Sequence, residues 1–392
     1  MRFYLMHCDK PVAAIQVAEK TGDIIDLEEV FAPEHLPYGA RNLRAGFDVL
    51  SLRKWWVERG IPSSRAGLAK ALDILDAPYP EILLIKCAGL SLSDQYWVSP
   101  AEHRKPWHSV DFFENDFSED VGRALFGEAS LPGRADLCSP CNTADGFLQK
   151  RWCIADGRRV LLKAGSGIYE QEPYNEVAAS ELFDRLGLPH AAYWLTKQGE
   201  QTLSACECLV DRDTEYVSAA HIMRSMPQPR ECSNWEHFCA CCAKLKIPGA
   251  ERFTANMLAA DFILANTDRH LVNFGALRNP QTLAWIGMAP IFDSGTSLWQ
   301  MTLSRAIDPD AMVPAKPFET SQLSQLRLIA PFTDLTLEEL GDFPERCYGI
   351  LAENPNFEAG RAEKIAMAVE RRIESAQEIL EQAQGPMPGL YR

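Results

Sequence analysis

The apolar pattern changes period part-way along this chain, and that change limits the fold more than any other feature. Arg2-Phe3-Tyr4-Leu5-Met6 and Ala13-Ala14-Ile15-Gln16-Val17 flank a turn-like Asp9-Lys10-Pro11, and Ile24-Ile25-Asp26-Leu27 follows Gly22, the signature of a small meander. Helical spacing then places Leu52, Trp55 and Trp56 on one helix, and Leu68, Ala71, Leu72 and Leu75 on a second that starts after Ile61-Pro62-Ser63-Ser64. Past the linker-like Ala77-Pro78-Tyr79-Pro80, strands are expected at 82–85 and 95–98. A hairpin is expected over 147–154 and 160–163, reversing at Asp156-Gly157. Glu172-Pro173 opens a helix that runs from 175 to 186 and closes at Gly187, followed by strands at 191–195 and 207–210. Beyond residue 220 helices dominate, at 235–245, 250–265, 321–329, 337–348 and 359–384. A strand-rich first half and a helical second half predict an α+β protein with separate lobes.

Composition narrows the function classes. The 392 residues, 46% hydrophobic and 24% charged, suffice for two or three packed units with real cores. A net charge of -15 repels polyanions, so direct nucleic-acid binding through a basic face is not expected. No stretch is apolar for the roughly 18–20 residues a membrane span needs, and the start turns polar too soon for a signal peptide. The chain therefore reads as cytoplasmic. Its 12 cysteines then read as reduced thiols, and Cys138-Ser-Pro-Cys141, Cys206-Glu-Cys208 and Cys239-Ala-Cys241-Cys242 as buried small hydrophobes in preference to zinc ligands. Trp55 and Trp56 read as core in preference to a ligand platform, and the aromatic segment from Tyr96 to Phe117 as packing of the N-terminal part.

The chemistry-bearing residues come in a fixed order. The helix over 250–265 runs straight into Asn266-Thr267-Asp268-Arg269-His270-Leu271-Val272-Asn273, polar where a core helix ends. Taken alone, the D-x-x-x-x-N spacing of Asp268 and Asn273 is also what an Asx-rich turn gives. Downstream, Asp293 follows an apolar run and precedes Gly295; upstream, Lys163 ends the strand Val160-Leu161-Leu162, with the helix residue Glu176 as its candidate partner. Strand lysine, helix glutamate, Asp-x-x-x-x-Asn and Asp before Gly is the order of a phosphoryl-transfer site. Such a site needs a cation on nucleotide phosphates (Lys163), hard oxygen ligands for Mg²⁺ (Asn273 and Asp293) and a carboxylate that orients the acceptor hydroxyl (Asp268). An aspartate is a weak base, so Asp268 is assigned chiefly orientation with late proton acceptance. Arg269 either holds the loop or neutralises charge, and His270 reads as a structural hydrogen-bonding residue.

These stretches, Ala265 to Gly275 and Met288-Ala289-Pro290-Ile291-Phe292-Asp293-Ser294-Gly295-Thr296-Ser297, resemble the catalytic core of the HipA-like serine/threonine kinases. The similarity continues through Lys163 and Glu172-Pro173-Tyr174-Asn175-Glu176. The resemblance implies ATP and Mg²⁺ as cofactors, Asp268 as catalytic aspartate, Asn273 and Asp293 as magnesium ligands, and Lys163 with Glu176 at the nucleotide. It also implies a two-lobed protein-kinase-like fold: an N-terminal β-rich subdomain over 1–80, a strand-rich N lobe over 81–215 and an all-helical C lobe over 216–392.

The sequence departs from the family at the phosphate-covering loop. The nearest candidates are Ser139-Pro140-Cys141-Asn142-Thr143-Ala144-Asp145-Gly146 and Gly165-Ser166-Gly167. In related kinases a serine of this loop can be autophosphorylated, which makes Ser139 and Thr143 the candidates here. Three functions fit: a protein kinase, a small-molecule or lipid phosphotransferase, and a nucleotide-holding pseudokinase that binds a partner. The family also includes toxins held by a DNA-binding antitoxin, so such a partner is implied by the resemblance, alongside a protein substrate.

Overall fold

A computed structural model describes residues 1–42, 46–128 and 135–384. The chain divides into two compact units, each assembled from separated stretches: Met1–Lys163, Ala205–Gln228 and Leu277–Ile286 form the first, and Ala164–Ser204, Pro229–Ala276 and the chain from Gly287 onward form the second.

In the first unit, strands Arg2–His7, Lys10–Val17 and Ile24–Val30 form the expected antiparallel meander, and Tyr96–Pro100 pairs with the free edge of Arg2–His7. Alternation buries Phe3, Leu5, Ile15 and Val98 against the helix Val49–Glu58, which Asp48 caps by accepting from Ser51 N at 2.8 Å. Trp55 and Trp56 are core residues. Trp56 is fully buried, its indole donates to Gly22 O at 2.9 Å, and a Cβ at Gly89 would sit 2.6 Å from its ring. Gly89 has φ +66°, so glycine is required there twice over. Trp97, Trp107 and Phe112 pack with Met6 and Leu90 in a second cluster, so the aromatic segment packs this unit.

One expected strand is a helix. Residues 82–85 lie within Pro80–Lys86, where Pro80 occupies the first turn and Glu81 supplies the acidic residue favoured there. A four-residue apolar run fits either period, and the proline decides it. The hairpin is as expected, Lys150–Ala155 pairing with Arg158–Ala164, and its two-residue turn has positive φ at both Asp156 (50°) and Gly157 (76°), the primed geometry an Asp-Gly turn provides. The strand expected at 207–210 instead spans Gln201–Glu207, paired with Tyr193–Gln198 across a turn at Gly199.

The first unit also contains a buried polar chain. Lys10 Nζ lies 2.9 Å from His35 Nε2, His35 Nδ1 lies 2.8 Å from His7 Nδ1, and His7 Nε2 lies 2.9 Å from Glu215 Oε2. An ammonium can only donate, so His35 Nε2 accepts, His35 Nδ1–H donates to His7, and His7 Nε2–H donates to Glu215. Arg278 binds the other oxygen of Glu215 and donates to Tyr96 Oη at 2.7 Å. Burial, with the ammonium of Lys10 beside it, lowers the His35 pKa from 6.5 to about 4. Burial alone would raise the Glu215 pKa, and its His7 and Arg278 partners bring it below the ordinary value. The unfolded chain therefore binds a proton at His35 before the folded chain does. Stability is full above the ordinary histidine pKa of 6.5 and falls as the pH drops from there through about 4. His35→Gln, measured by urea unfolding at stepped pH, should flatten that decline; an unchanged slope would show that His35 is not its source.

The second unit is built around helix Ala250–Ile263, buried on nearly every side and packed by Gln322–Ile329 and the 24-residue Arg361–Gln384. Helix Asn234–Leu245 starts from a capping box between Ser233 and Glu236. The region after 216 is not all-helical, however, because it contains strands Gly275–Arg278 and Trp285–Met288. Four residues give too few alternations to register as a period. All twelve cysteines are free thiols, and burial raises Cys87, Cys208, Cys239 and Cys347 to about 12. No helix of the described residues is long and apolar enough to cross a membrane.

Candidate active site

The site of the second unit begins where helix Ala250–Ile263 stops. Ala265 takes φ +51°, and Asn266 N returns to Asp261 O at 2.9 Å, closing the last turn. The Asn266 side chain then works in both directions, donating to Asp261 Oδ1 at 2.8 Å and accepting Asp268 N at 3.0 Å. Asp268 is thereby held at the start of a tight loop, with its carboxylate partly exposed. His270 N donates to Asp268 O at 2.7 Å and Asn273 N to His270 O at 2.8 Å. The Asn273 amide nitrogen donates to Asp268 O at 3.0 Å, which turns the amide oxygen the other way.

Arg269 holds this loop to the segment bearing Asp293. The side chain is buried, and its five N–H groups have five acceptors. Nε and Nη2 grip the Asp261 carboxylate at 2.8 and 3.0 Å, Nη1 reaches Asn273 O at 3.1 Å and Phe292 O at 2.5 Å, and Nη2 also binds Ser294 Oγ at 2.8 Å. Burial by itself lowers the Arg269 pKa, but Asp261, followed by Asp293 and Glu176, outweighs it and the net shift is upward. Of the two roles open to Arg269, the structure places it in the first: it fastens the loop.

One nitrogen bonded to the carbonyls of both Asn273 and Phe292 brings the loop of Asn273 to the segment that carries Asp293. Asp293 has φ +59°, a left-handed conformation that costs a non-glycine residue on the order of 1 kcal/mol and marks a position over-determined by its surroundings. Those surroundings come from helix Glu172–Arg185. Glu176 accepts Ser294 N at 2.9 Å, and Asn175 donates to Gly295 O and Ser297 O, each at 2.8 Å. A second strap joins the two loops directly, Thr267 N to Thr296 O at 3.1 Å.

Six of the residues singled out from sequence therefore gather in this unit: Asp268, Arg269, His270, Asn273, Asp293 and Glu176. His270 Nε2 lies 3.7 Å from Asp268 Oδ2, too long for a strong hydrogen bond, so its structural contribution is the backbone turn. Lys163 belongs to the first unit, where it is buried at the end of strand Arg158–Ala164. Ser139 and Thr143 also lie there. Ser139 is fully buried and caps the turn Pro140–Thr143, while the Thr143 hydroxyl donates to Leu90 O and Pro140 O, so neither is presented as an exposed phosphate acceptor. In the Gly165-Ser166-Gly167 stretch, both Ser166 N and its hydroxyl are bonded to Glu172, which removes that amide from any phosphate nest.

Sequence reading missed Asp261, Asn266 and Lys316 as members of the site. Asp261 did leave a signal, a carboxylate among Ala259, Ala260, Phe262 and Ile263 that requires a buried partner. Lys316 left none. Its ammonium donates to Asp268 Oδ1 at 2.8 Å across 48 positions, and its backbone is held by Gln325, which donates to Lys316 O at 3.0 Å and accepts Phe318 N at 3.1 Å.

No protein-family model and no curated protein matches the chain by sequence. Among solved structures, the proinflammatory kinase CtkA of Helicobacter pylori is 16% identical with a TM-score of 0.46, covering 60% of this chain and 95% of its own. HipA of Shewanella oneidensis MR-1, solved in a toxin-antitoxin complex with HipB and operator DNA, is 13% identical, covers 98% of this chain and 99% of its own, and has a TM-score of 0.56. The resemblance read from Asp268, Asn273 and Asp293 is thus met at the level of fold: this chain has the fold of HipA over nearly its whole length.

Proposed function

We propose that the chain is an ATP- and Mg²⁺-dependent kinase of the HipA-like class, transferring the γ-phosphoryl group to a serine or threonine hydroxyl. The observation that carries this reading is the single guanidinium of Arg269 bonded to both Asn273 O and Phe292 O beside Asp268. A positioned amide oxygen and a carboxylate are the hard donors that Mg²⁺ prefers, so Asn273 and Asp293 suit it. Bound there together with nucleotide, the ion supplies charge neutralisation on the phosphates. Asp268 orients the acceptor hydroxyl and takes its proton late, and the Lys316 ammonium keeps positive charge at the same carboxylate. Lys163 is assigned to the phosphates, and Glu176 to holding the amide that follows Asp293.

Because HipA of Shewanella oneidensis was solved with HipB and DNA, a DNA-binding antitoxin-like partner belongs to this proposal. A net charge of -15 favours a basic partner over direct contact with DNA.

The test is label transfer from γ-labelled ATP, with and without Mg²⁺, in wild type and Asp293→Ala. Magnesium-dependent labelling of protein, absent from the variant, is the expected result. Equal labelling by both proteins would refute the assignment. Tight Mg·ATP binding with no transfer to any acceptor would favour the nucleotide-holding alternative, whose support is the commitment of Ser166 to Glu172.

A further inference from the structure

We propose that a cavity beside Asp268 is the acceptor site and that it takes a polypeptide segment with a bulky apolar side chain within two residues of the phosphorylated hydroxyl. This rests on the kinase reading above and chooses protein over sugar or lipid headgroup as the acceptor class. The cavity has a volume of about 320 Å³, room for one or two large side chains. Thr267 and Thr296 line it, the residue before Asp268 and the third after Asp293, so it opens at the catalytic loop itself.

Its other lining residues include Trp299, Met301, Met312, Val313 and Pro314. Two of them are unusual. Met301 and Met312 are 72% and 84% exposed, large thioethers kept in water at the edge of a cavity, and methionine is the side chain that adapts best to varied apolar partners. The wall is continuous with the catalytic group. Gln322 N donates to Val313 O at 2.9 Å and Ala315 N to Thr320 O at 3.1 Å, fixing a segment that ends at Lys316 with its ammonium on Asp268. An acceptor chain lying against Val313 and Pro314 is therefore led toward that carboxylate.

Two lining residues carry polar atoms without partners. Ser297 is 1% exposed, and neither its Oγ nor Gln300 Oε1 has a hydrogen-bond partner. Buried polar atoms are normally satisfied, and the peptide groups of an acceptor supply both donors and acceptors. Thr302 and Asp308 add further polar groups to the lining, so the choice of a peptide rests on the exposed thioethers and on the chain path toward Lys316.

The experiment compares alanine-based nonapeptides carrying leucine or phenylalanine at each of the two positions on either side of a central residue. Binding is read by fluorescence anisotropy with alanine at the centre and full-length protein under Mg·ADP. Transfer is read with serine at the centre. Leucine or phenylalanine peptides should bind about tenfold or more tightly than the all-alanine peptide, the effect of removing one such side chain from water. Met312→Asp should abolish that preference while leaving affinity for a fluorescent ATP analogue unchanged; the exposure of Met312 makes misfolding no explanation, and Met301→Asp provides a second variant. Equal binding of apolar and alanine peptides overturns the site, as does faster transfer to glucose or to phosphatidylinositol vesicles than to any peptide. Selective peptide binding without phosphate transfer keeps the docking site and refutes the kinase reading. Transfer indifferent to flanking residues keeps the kinase and refutes the site.

Discussion

Asp268→Asn should slow phosphoryl transfer by between about 10² and 10⁴-fold, the usual loss when a positioned proton acceptor is removed, with Mg·ATP affinity and thermal midpoint near those of wild type. The geometry separates chemistry from folding at this residue. The hydrogen bonds through which Asp268 itself shapes the loop use its backbone: its N–H to Asn266 Oδ1, and its carbonyl from His270 N and Asn273 Nδ2. The side chain is partly exposed, and an asparagine oxygen can still accept from Lys316. What the amide cannot do is attract and finally receive the acceptor's proton. Steady-state transfer and nucleotide titration on the same preparation check this, and a rate within a few-fold of wild type would remove Asp268 from the reaction.

The second large effect is on stability. Arg269→Met should cost about 3–5 kcal/mol, because it leaves the Asp261 carboxylate buried with the Asn266 amide but without its cation. The Asp261→Leu/Arg269→Met pair should recover much of that loss in a denaturant titration, since apolar replacement of both members of a buried ion pair is often nearly neutral. The double variant should still transfer no phosphate. The carbonyls of Asn273 and Phe292 would have lost their shared donor, and the positions of Asn273 and Asp293 would no longer be fixed to each other. An Arg269→Met protein as stable as wild type would show that this pair does not hold the second unit together.

The candidate site residues were legible because each lies in a short stretch with a recognisable pattern: Asp268 and Asn273 five residues apart, and Asp293 just before Gly295. The devices that position them were less so. Arg269 sits in plain view beside Asp268, yet its acceptors are on Asp261, Asn273, Phe292 and Ser294, and no local spacing encodes a fork that reaches both ways along the chain. Lys316 arrives from a segment that only the completed fold brings to Asp268. Among the elements, the helix Pro80–Lys86 could have been read from its proline, whereas strands Gly275–Arg278 and Trp285–Met288 are too short to declare a period. Glu176 shows a related limit. Its place on a helix after Lys163 was evident, but its bond to Ser294 N spans 118 positions.

The chain's threading has a consequence for its synthesis. Glu215 and Arg278, which complete the buried chain that starts at Lys10, belong to stretches of the first unit that are translated long after residue 163. Until Arg278 leaves the ribosome, Glu215 and Tyr96 lack the guanidinium they share, and the second unit's first two stretches, including Asp268 and Asn273, have already been made. The first unit therefore cannot complete its buried polar chain until residue 278 is made, after the loop that bears Asp268.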